Sequence, residues 1–162
     1  MQLVPILRAP LLLALANGTP VVVKKLFGSR AARPIDAGLQ FWDGRPLFGT
    51  AKTVRGVVSS IVVTAALSPL LGVSAGVGCL VAGTAMAGDL FSSFVKRRLG
   101  FPASAQAIGL DQIPESLFPL LACKSVLSLT FADIVVSVGV FLIGELILSR
   151  LLYWLKIRDQ PY

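Results

Sequence analysis

Within GDLFSSFVKRRLG, residues 88–100, Asp89, Ser92, Ser93 and Lys96 follow one another at offsets of three, four and seven. On a helix such offsets fall on one face, because each residue turns the chain by about 100°. That face presents an acid, two hydroxyls and a cation. Arg97 and Arg98 come next, and the eighteen residues at 70–87 hold no charge. Cations at the C-terminal end of an apolar helix complement its dipole and suit a membrane surface. An acid does neither, so Asp89 makes sense only opposite a cation. A hard divalent ion such as Mg2+ takes carboxylate oxygens and leaves positions open for phosphate. Asp111 ends the next polar stretch, where the chain turns apolar again. Two carboxylates with Lys96 and Arg97 near them form an inventory for phosphoryl or nucleotidyl transfer.

The segment 17–56 adds matching groups. NGTP at 17–20 closes the first apolar run, and DGRP at 43–46 is a turn signal that brings Asp43 and Arg45 together. FGTAKTVRG at 48–56 carries Lys52, Thr53 and Arg55 into the next apolar run. Lys and Arg beside the free N–H groups of a helix start suit phosphate. FGTAKT is not a P-loop: its Gly-to-Lys spacing is too short and one glycine is missing. The chain has no histidine, which excludes Ser–His triads and Cys–His dyads. Cys79 and Cys123 both lie in apolar segments, so a disulfide framework or a zinc site has little support.

These groups need elements to hold them. The 162 residues suit one domain, 1–162, and 55% of them are hydrophobic against 14% charged. Mean hydropathy is +0.81. A soluble domain has about a quarter charged residues, so the expected class is an all-α, polytopic membrane protein. A β-barrel is disfavoured because the apolar runs do not alternate. Five transmembrane helices are expected: a short one at 1–16, then 57–71, 75–95, a weaker one at 113–130 broken by Pro114, Pro119 and Lys124, and 132–155. Polar loops at 17–56 and 96–111 and the tail at 156–162 then share one side. That side collects Lys24, Lys25, Arg30, Arg33, Arg45, Lys52, Arg55, Lys96, Arg97, Arg98, Lys156 and Arg158, whereas the opposite links near 68–75 and 130–133 hold no Lys or Arg. The positive-inside bias places the loops in the cytoplasm and the N-terminus outside the cell membrane. The net charge of +7 reads either as orientation alone or as a site for anions such as phosphates or lipid headgroups; no nucleic-acid partner is expected.

Arg8 and Lys124 fall toward the outer ends of spans, near Asp133, which could pair with either. Glu145 lies deeper, and an acid inside a membrane helix is a functional candidate, with a structural ion pair or a water-lined cleft as the alternative. Gly72, Gly76, Gly78, Gly83, Ala85, Ala87 and Gly88 read first as close helix packing, including one Gly-x-x-x-Gly pair at Gly72 and Gly76.

With these residues in view, the chain resembles the CDP-archaeol synthase family, relatives of the CDP-diacylglycerol synthases. The matching stretches are NGTPVVVKKLFG (17–28), PIDAG (34–38), FWDGRPLFGTAKTVRG (41–56), GDLFSSFVKRRLG (88–100) and LDQ (110–112). The resemblance implies a five-span enzyme using CTP and Mg2+ that transfers CMP to the ether lipid 2,3-di-O-geranylgeranylglyceryl phosphate and releases pyrophosphate. It implies Asp89 and Asp111 as metal or phosphate-site acids, with Lys96 beside them in catalysis. It implies Lys52, Thr53, Arg55, Ser93 and Arg97 as phosphate contacts, and Asn17, Thr19, Asp43 and Arg45 as nucleotide or cleft contacts. Where the family often reads LDQLD, this chain reads LDQIP, followed by Glu115. PIDAG has Ala37 where glycine is common. Two other readings stand beside this one. A CDP-diacylglycerol synthase would take ester-linked phosphatidate. A small transporter or non-catalytic lipid-binding protein would place its polar groups near the bilayer midplane, whereas here they gather at one surface.

Overall fold

The structure is a computed structural model that describes residues 3–156. Met1 and Gln2 of the first expected span lie outside the described residues, as do Arg158 and most of the tail. Five helices follow in chain order: α1 Leu3–Phe27, α2 Val54–Leu67 with a 3-10 turn Ser68–Leu71, α3 Ala75–Arg98, α4 Gln112–Ala122 and α5 Phe131–Trp154. No strand occurs among the described residues; two isolated bridges, Pro34 with Thr53 and Gln40 with Pro46, brace the first loop. Helices α2, α3 and α5 agree with the expected spans, and each begins on a hydroxyl cap. Thr53 accepts from the Gly56 N–H, Ser74 from Val77, and Thr130 from Asp133.

Two expectations change. First, α1 does not stop at Ala16 but runs through NGTP to Phe27. Proline inside a helix removes the N–H that would reach the carbonyl four residues back. For Pro20 that carbonyl is Ala16, and the Ser60 hydroxyl of α2 donates to it at 2.6 Å. The freed acceptor is thus satisfied across the helix pair, and Lys24 and Lys25 ride on the last turn of α1. Second, the expected span at 113–130 contains a helix of only 11 residues. At 1.5 Å per residue α4 reaches about 16 Å, about half a bilayer core. Pro114 falls in its first turn, where no N–H is required; beyond Ala122 the chain turns repeatedly until Thr130 caps α5. Among the described residues four stretches are therefore long and apolar enough to cross a membrane: Arg8–Phe27, Val54–Leu71, Ala75–Arg98 and Phe131–Trp154.

The core gathers Leu12, Leu13 and Ala16 of α1, Val81, Ala82 and Ala85 of α3, Leu120 of α4, and Ile134 and Phe141 of α5. Its tightest contacts use glycine. A Cβ on Gly88 would overlap the Pro114 carbonyl, and one on Gly78 would meet the Ser68 Oγ at 2.5 Å and the Thr64 carbonyl at 2.9 Å. Gly83 has open space instead, and Gly76 meets nothing closer than 3.9 Å. Close backbone packing thus falls on Gly78 and Gly88, whereas a Cβ on Gly72 would stand 3.0 Å from the Arg8 guanidinium and Gly76 has room. Asp133 pairs with neither Arg8 nor Lys124 among the described residues. It closes the capping box with Thr130, while the Lys124 ammonium lies 5.4 Å from the Phe131 ring centre.

Gly88→Ala should force α3 and α4 apart and destabilise the fold by about 1–3 kcal/mol, the usual cost of overpacking. Gly83→Ala, with room for its methyl, should be neutral or stabilising by up to about 1 kcal/mol. Thermal unfolding of both variants in detergent checks the contrast.

Candidate functional site

Helices α1, α3, α4 and α5 meet the loops 28–53 and 99–111 around a cavity of about 680 Å3. Its walls hold Lys24, Lys25, Lys52, Asp89, Ser93, Lys96, Arg97, Asp111, Gln112, Glu115 and Glu145. Lys24, Lys25, Lys52, Lys96 and Arg97, five of the cations that the sequence places at one membrane face, therefore line one space together with the acids.

Two lysine–carboxylate pairs frame it. The Lys52 ammonium donates to both Asp89 oxygens, at 2.5 and 2.6 Å, with the side chains only 25% and 18% exposed. The Lys96 ammonium meets Asp111 Oδ1 at 2.6 Å and donates to the Ala105 carbonyl at 2.8 Å. Asp111 Oδ2 accepts from the Ala107 N–H at 2.9 Å, which fixes the carboxylate at the start of α4. Burial alone pushes the Lys52 ammonium toward losing its proton. The facing carboxylates, Asp89 first and then Glu115 and Asp111, outweigh burial and hold its pKa above the ordinary lysine value. Lys52 therefore stays charged at any pH near neutral. Glu115 completes the group: it lines the same cavity as Asp89, and its backbone nitrogen packs against Gly88, the residue before Asp89. That approach depends on the glycine contact between α3 and α4.

The loop that carries Lys52 is tied down by Asp36, which is buried. Asp36 Oδ2 accepts from the Phe48 and Gly49 N–H groups at 2.9 Å each, and Oδ1 accepts from Gly38 at 3.0 Å. Gly49 has φ +93°, a backbone conformation open to glycine, and its Cα faces Arg97 closely. Burial pushes the Asp36 carboxyl up, but the backbone donors from Phe48, Gly49 and Gly38 outweigh it and hold its pKa below the usual carboxylate value.

The residues singled out from sequence separate into three groups. Asp89, Ser93, Lys96, Arg97, Asp111 and Lys52 line the cavity. Thr53 and Arg55 lie on an adjoining one; Thr53 caps α2, and the Arg55 guanidinium donates to the carbonyls of Arg30 and Gly28. Asn17, Thr19, Asp43 and Arg45 line neither. Thr19 donates back to the Leu15 carbonyl within α1 at 2.6 Å, and the Asn17 side-chain nitrogen is buried with no hydrogen-bond partner among the described residues. Asp43 pairs with Arg98 at 2.9 Å, and the Arg45 guanidinium caps α3 by donating to the Arg97 and Arg98 carbonyls. Arg98 also lies over the Phe41 and Phe94 rings, at 4.8 and 5.0 Å. Ser92, on the expected polar face, is buried and donates to the Gly88 carbonyl at 2.7 Å. Sequence reasoning did not select Gln112 or Glu115 for the site. Two signals were available for Glu115: it follows LDQIP, where the family often has a second acid, and it stands four residues after Asp111, on the same face of a helix.

The acids Asp89, Asp111, Glu115 and Glu145 are oxygen donors of the class that holds a hard divalent cation. In this arrangement Asp89 and Asp111 are each taken by a lysine. Among the described residues no three acids come close enough together to hold a metal.

A family model described as CDP-archaeol synthase matches residues 71–162. The CDP-archaeol synthase of Sulfurisphaera tokodaii is 31% identical over 153 residues, covering 91% of this chain and 89% of its own. That of Hyperthermus butylicus is 36% identical over 141 residues, covering 75% and 77%. A solved structure, described as an intramembrane enzyme for archaeal membrane lipid biosynthesis, superposes with a TM-score of 0.70 at 28% identity, over 85% of this chain and 90% of that one. With four long apolar helices and an intramembrane relative, the protein is a multi-pass membrane protein.

Asp36→Ala should release the 47–53 turn and with it Lys52. Limited proteolysis in detergent should then cut this loop faster than in the unaltered protein. In the unaltered protein the Asp36 contribution should persist at neutral pH and be lost as the pH falls through its lowered folded pKa.

Proposed function

The chain belongs to the CDP-archaeol synthase family, and from that premise we propose that the cavity framed by Lys52–Asp89 and Lys96–Asp111 is where CMP is transferred. The protein is a CTP-dependent cytidylyltransferase that forms CDP-archaeol. Its acceptor is 2,3-di-O-geranylgeranylglyceryl phosphate, its cavity opens toward the cytoplasm, and the chain acts as one catalytic domain. The observation that carries this reading is the alternation of lysines and carboxylates around a 680 Å3 space at the ends of apolar helices. That volume lies within the usual range for a small-molecule site.

The reaction balances without a protein nucleophile. An oxygen of the lipid phosphate forms a bond to the α-phosphorus of CTP. The bond from that phosphorus to the oxygen bridging to the β-phosphate breaks, and pyrophosphate leaves with the electron pair. The attacking oxygen is already anionic, so no base is needed. The difficulty is to hold two polyanions together, and Lys24, Lys25, Lys96 and Arg97 lower that repulsion. Ser93, between Asp89 and Lys96 on α3, offers a hydroxyl donor to a phosphate oxygen.

Mg2+ takes carboxylate oxygens, and Asp89 and Asp111 would be the residues to hold it once each is released from its lysine, because as they stand no three acids among the described residues come close enough together to do so. When bound, it supplies positive charge against the triphosphate and the leaving pyrophosphate. Lys52 and Lys96 hold these acids in their pairs until phosphate arrives, and then turn their ammonium groups toward it. A ring of basic side chains at this end of the bundle supports the cytoplasmic orientation.

Purified Asp89→Asn, given labelled CTP, Mg2+ and the ether lipid phosphate, should lose CMP transfer by about 100-fold or more. Its size-exclusion profile should match that of the unaltered protein. Near-normal turnover would remove Asp89 from the reaction centre. Offering ester-linked phosphatidate alongside tests the acceptor, and the ether lipid should be strongly preferred.

A further inference from the structure

Aromatic side chains gather on one flank of the bundle, where the loops meet α3 and α4. Phe91 and Phe94 stand one turn apart on the outer face of α3, opposite the buried Ser92, Ser93, Lys96 and Arg97. The Phe91 ring lies against Phe118 of α4, with centres 5.7 Å apart. The Phe94 ring meets Phe41 of the first loop edge to face at 5.2 Å, and Phe41 stacks on Trp42 at 5.4 Å. Trp42 itself is 97% exposed. The first loop reaches this flank as a hairpin. The Phe41 N–H donates to the Arg45 carbonyl at 2.8 Å and the Leu47 N–H to the Leu39 carbonyl at 2.9 Å, so Trp42, Asp43 and Gly44 form the tip. The Asp43–Arg98 pair and the contact of Phe41 with Phe94 fold that tip back along α3.

The height of the tip along α3 identifies what it meets. Helix α3 has 24 residues. It is therefore about 36 Å long, against about 30 Å of bilayer hydrocarbon, and a centred helix overshoots by about 3 Å at each end. Phe94 stands four residues before the last residue of α3, Arg98. It therefore lies about 6 Å from the helix end, just inside the hydrocarbon boundary. Trp42 is carried beside it, on the lipid-facing flank of a spanning helix. Tryptophan suits that level, because its ring is apolar and its indole N–H can donate to headgroups or water. Leu39 of the same hairpin and Leu99, just past α3, are exposed too. Arg45, exposed at the tip, adds a positive charge that suits headgroup phosphates. We propose that the 39–47 hairpin is a membrane foot: Trp42 and Leu39 lie in the headgroup layer of the bilayer on the α3 flank, not in water. This holds whichever side of the membrane the loops face and requires nothing of the reaction proposed above. Asp36 fixes the turn that follows the hairpin. The foot thus gives the loop that carries Lys52 a second support, on the lipid itself.

The chain has two tryptophans, so Trp154→Phe leaves Trp42 as the sole fluorophore of its kind. Trp154 is the last residue of α5 and is exposed, so its replacement disturbs little packing. In phosphatidylcholine vesicles the emission of this variant should lie to the blue of tryptophan in water. Phosphatidylcholine brominated high on its acyl chains should quench that emission about twofold or more, and lipid brominated near the chain ends should quench it less. Water-like emission, quenched by acrylamide but not by brominated lipid, would overturn the foot. Shielding from acrylamide without quenching by brominated lipid would mean that a protein partner or a second copy covers the tip, and overturns it equally. A second experiment uses the unaltered protein. Phosphatidylcholine carrying a diazirine close to its glycerol should label peptides containing residues 39–42. Labelling confined to the helices would overturn the proposal.

Discussion

Carboxylates placed where an apolar helix bundle meets its loops must each face a cation or converging backbone N–H groups, and this requirement organises the whole polar end of the molecule. At an effective dielectric of about 20, unit charges about 4 Å apart attract by about 4 kcal/mol. Removing one partner of a buried pair typically costs about 3–5 kcal/mol, because the other is left desolvated and alone. Lys52–Asp89 therefore binds the first loop to α3, and Lys96–Asp111 binds α3 to the start of α4. The same pairs keep charges of both signs concentrated around a cavity that would otherwise drive them apart. A polyanionic substrate with its own counter-ion can replace each half of a pair with a better-matched partner.

Holding those pairs in register depends on backbone contacts deeper in the bundle. Gly88 lets the backbone of α4 lie directly on α3, which brings Glu115 to Asp89. Ser60 supplies the donor that Pro20 cannot, which lets α1 continue and delivers Lys24 and Lys25 to the rim. Asp36 gathers three N–H groups and fixes the turn that carries Lys52. Arg45, Asp43 and Arg98 lock the end of α3 to the first loop. The charged centre and the apolar bundle are thus coupled through a few backbone atoms rather than through bulk hydrophobic area alone.

The sequence revealed what local chemistry determines. Long apolar runs located α2, α3 and α5, and the isolated charge of Asp89 pointed toward a polar centre. What it concealed depends on contacts between distant segments. NGTP reads as a helix end because the hydrogen bond that rescues it comes from Ser60, 44 residues away. Hydropathy makes 113–130 one apolar stretch and does not register how early the helix ends within it. A helical wheel groups Ser92 with Ser93, but the first is buried and the second lines the cavity. Asp43 and Arg45 have the residue types of a nucleotide site, yet they serve the end of α3. Glu115 shows in the sequence only as the acid that follows LDQIP; its place beside Asp89 depends on the α3–α4 spacing that Gly88 permits.

The central claim is that the paired lysines of the larger cavity bind the phosphates of CTP. Direct calorimetric titration of CTP into Lys96→Met, in detergent with Mg2+ present, tests it most directly. The account predicts an affinity at least tenfold weaker than that of the unaltered protein, with the helical content unchanged. Equal affinity in the two proteins would contradict it.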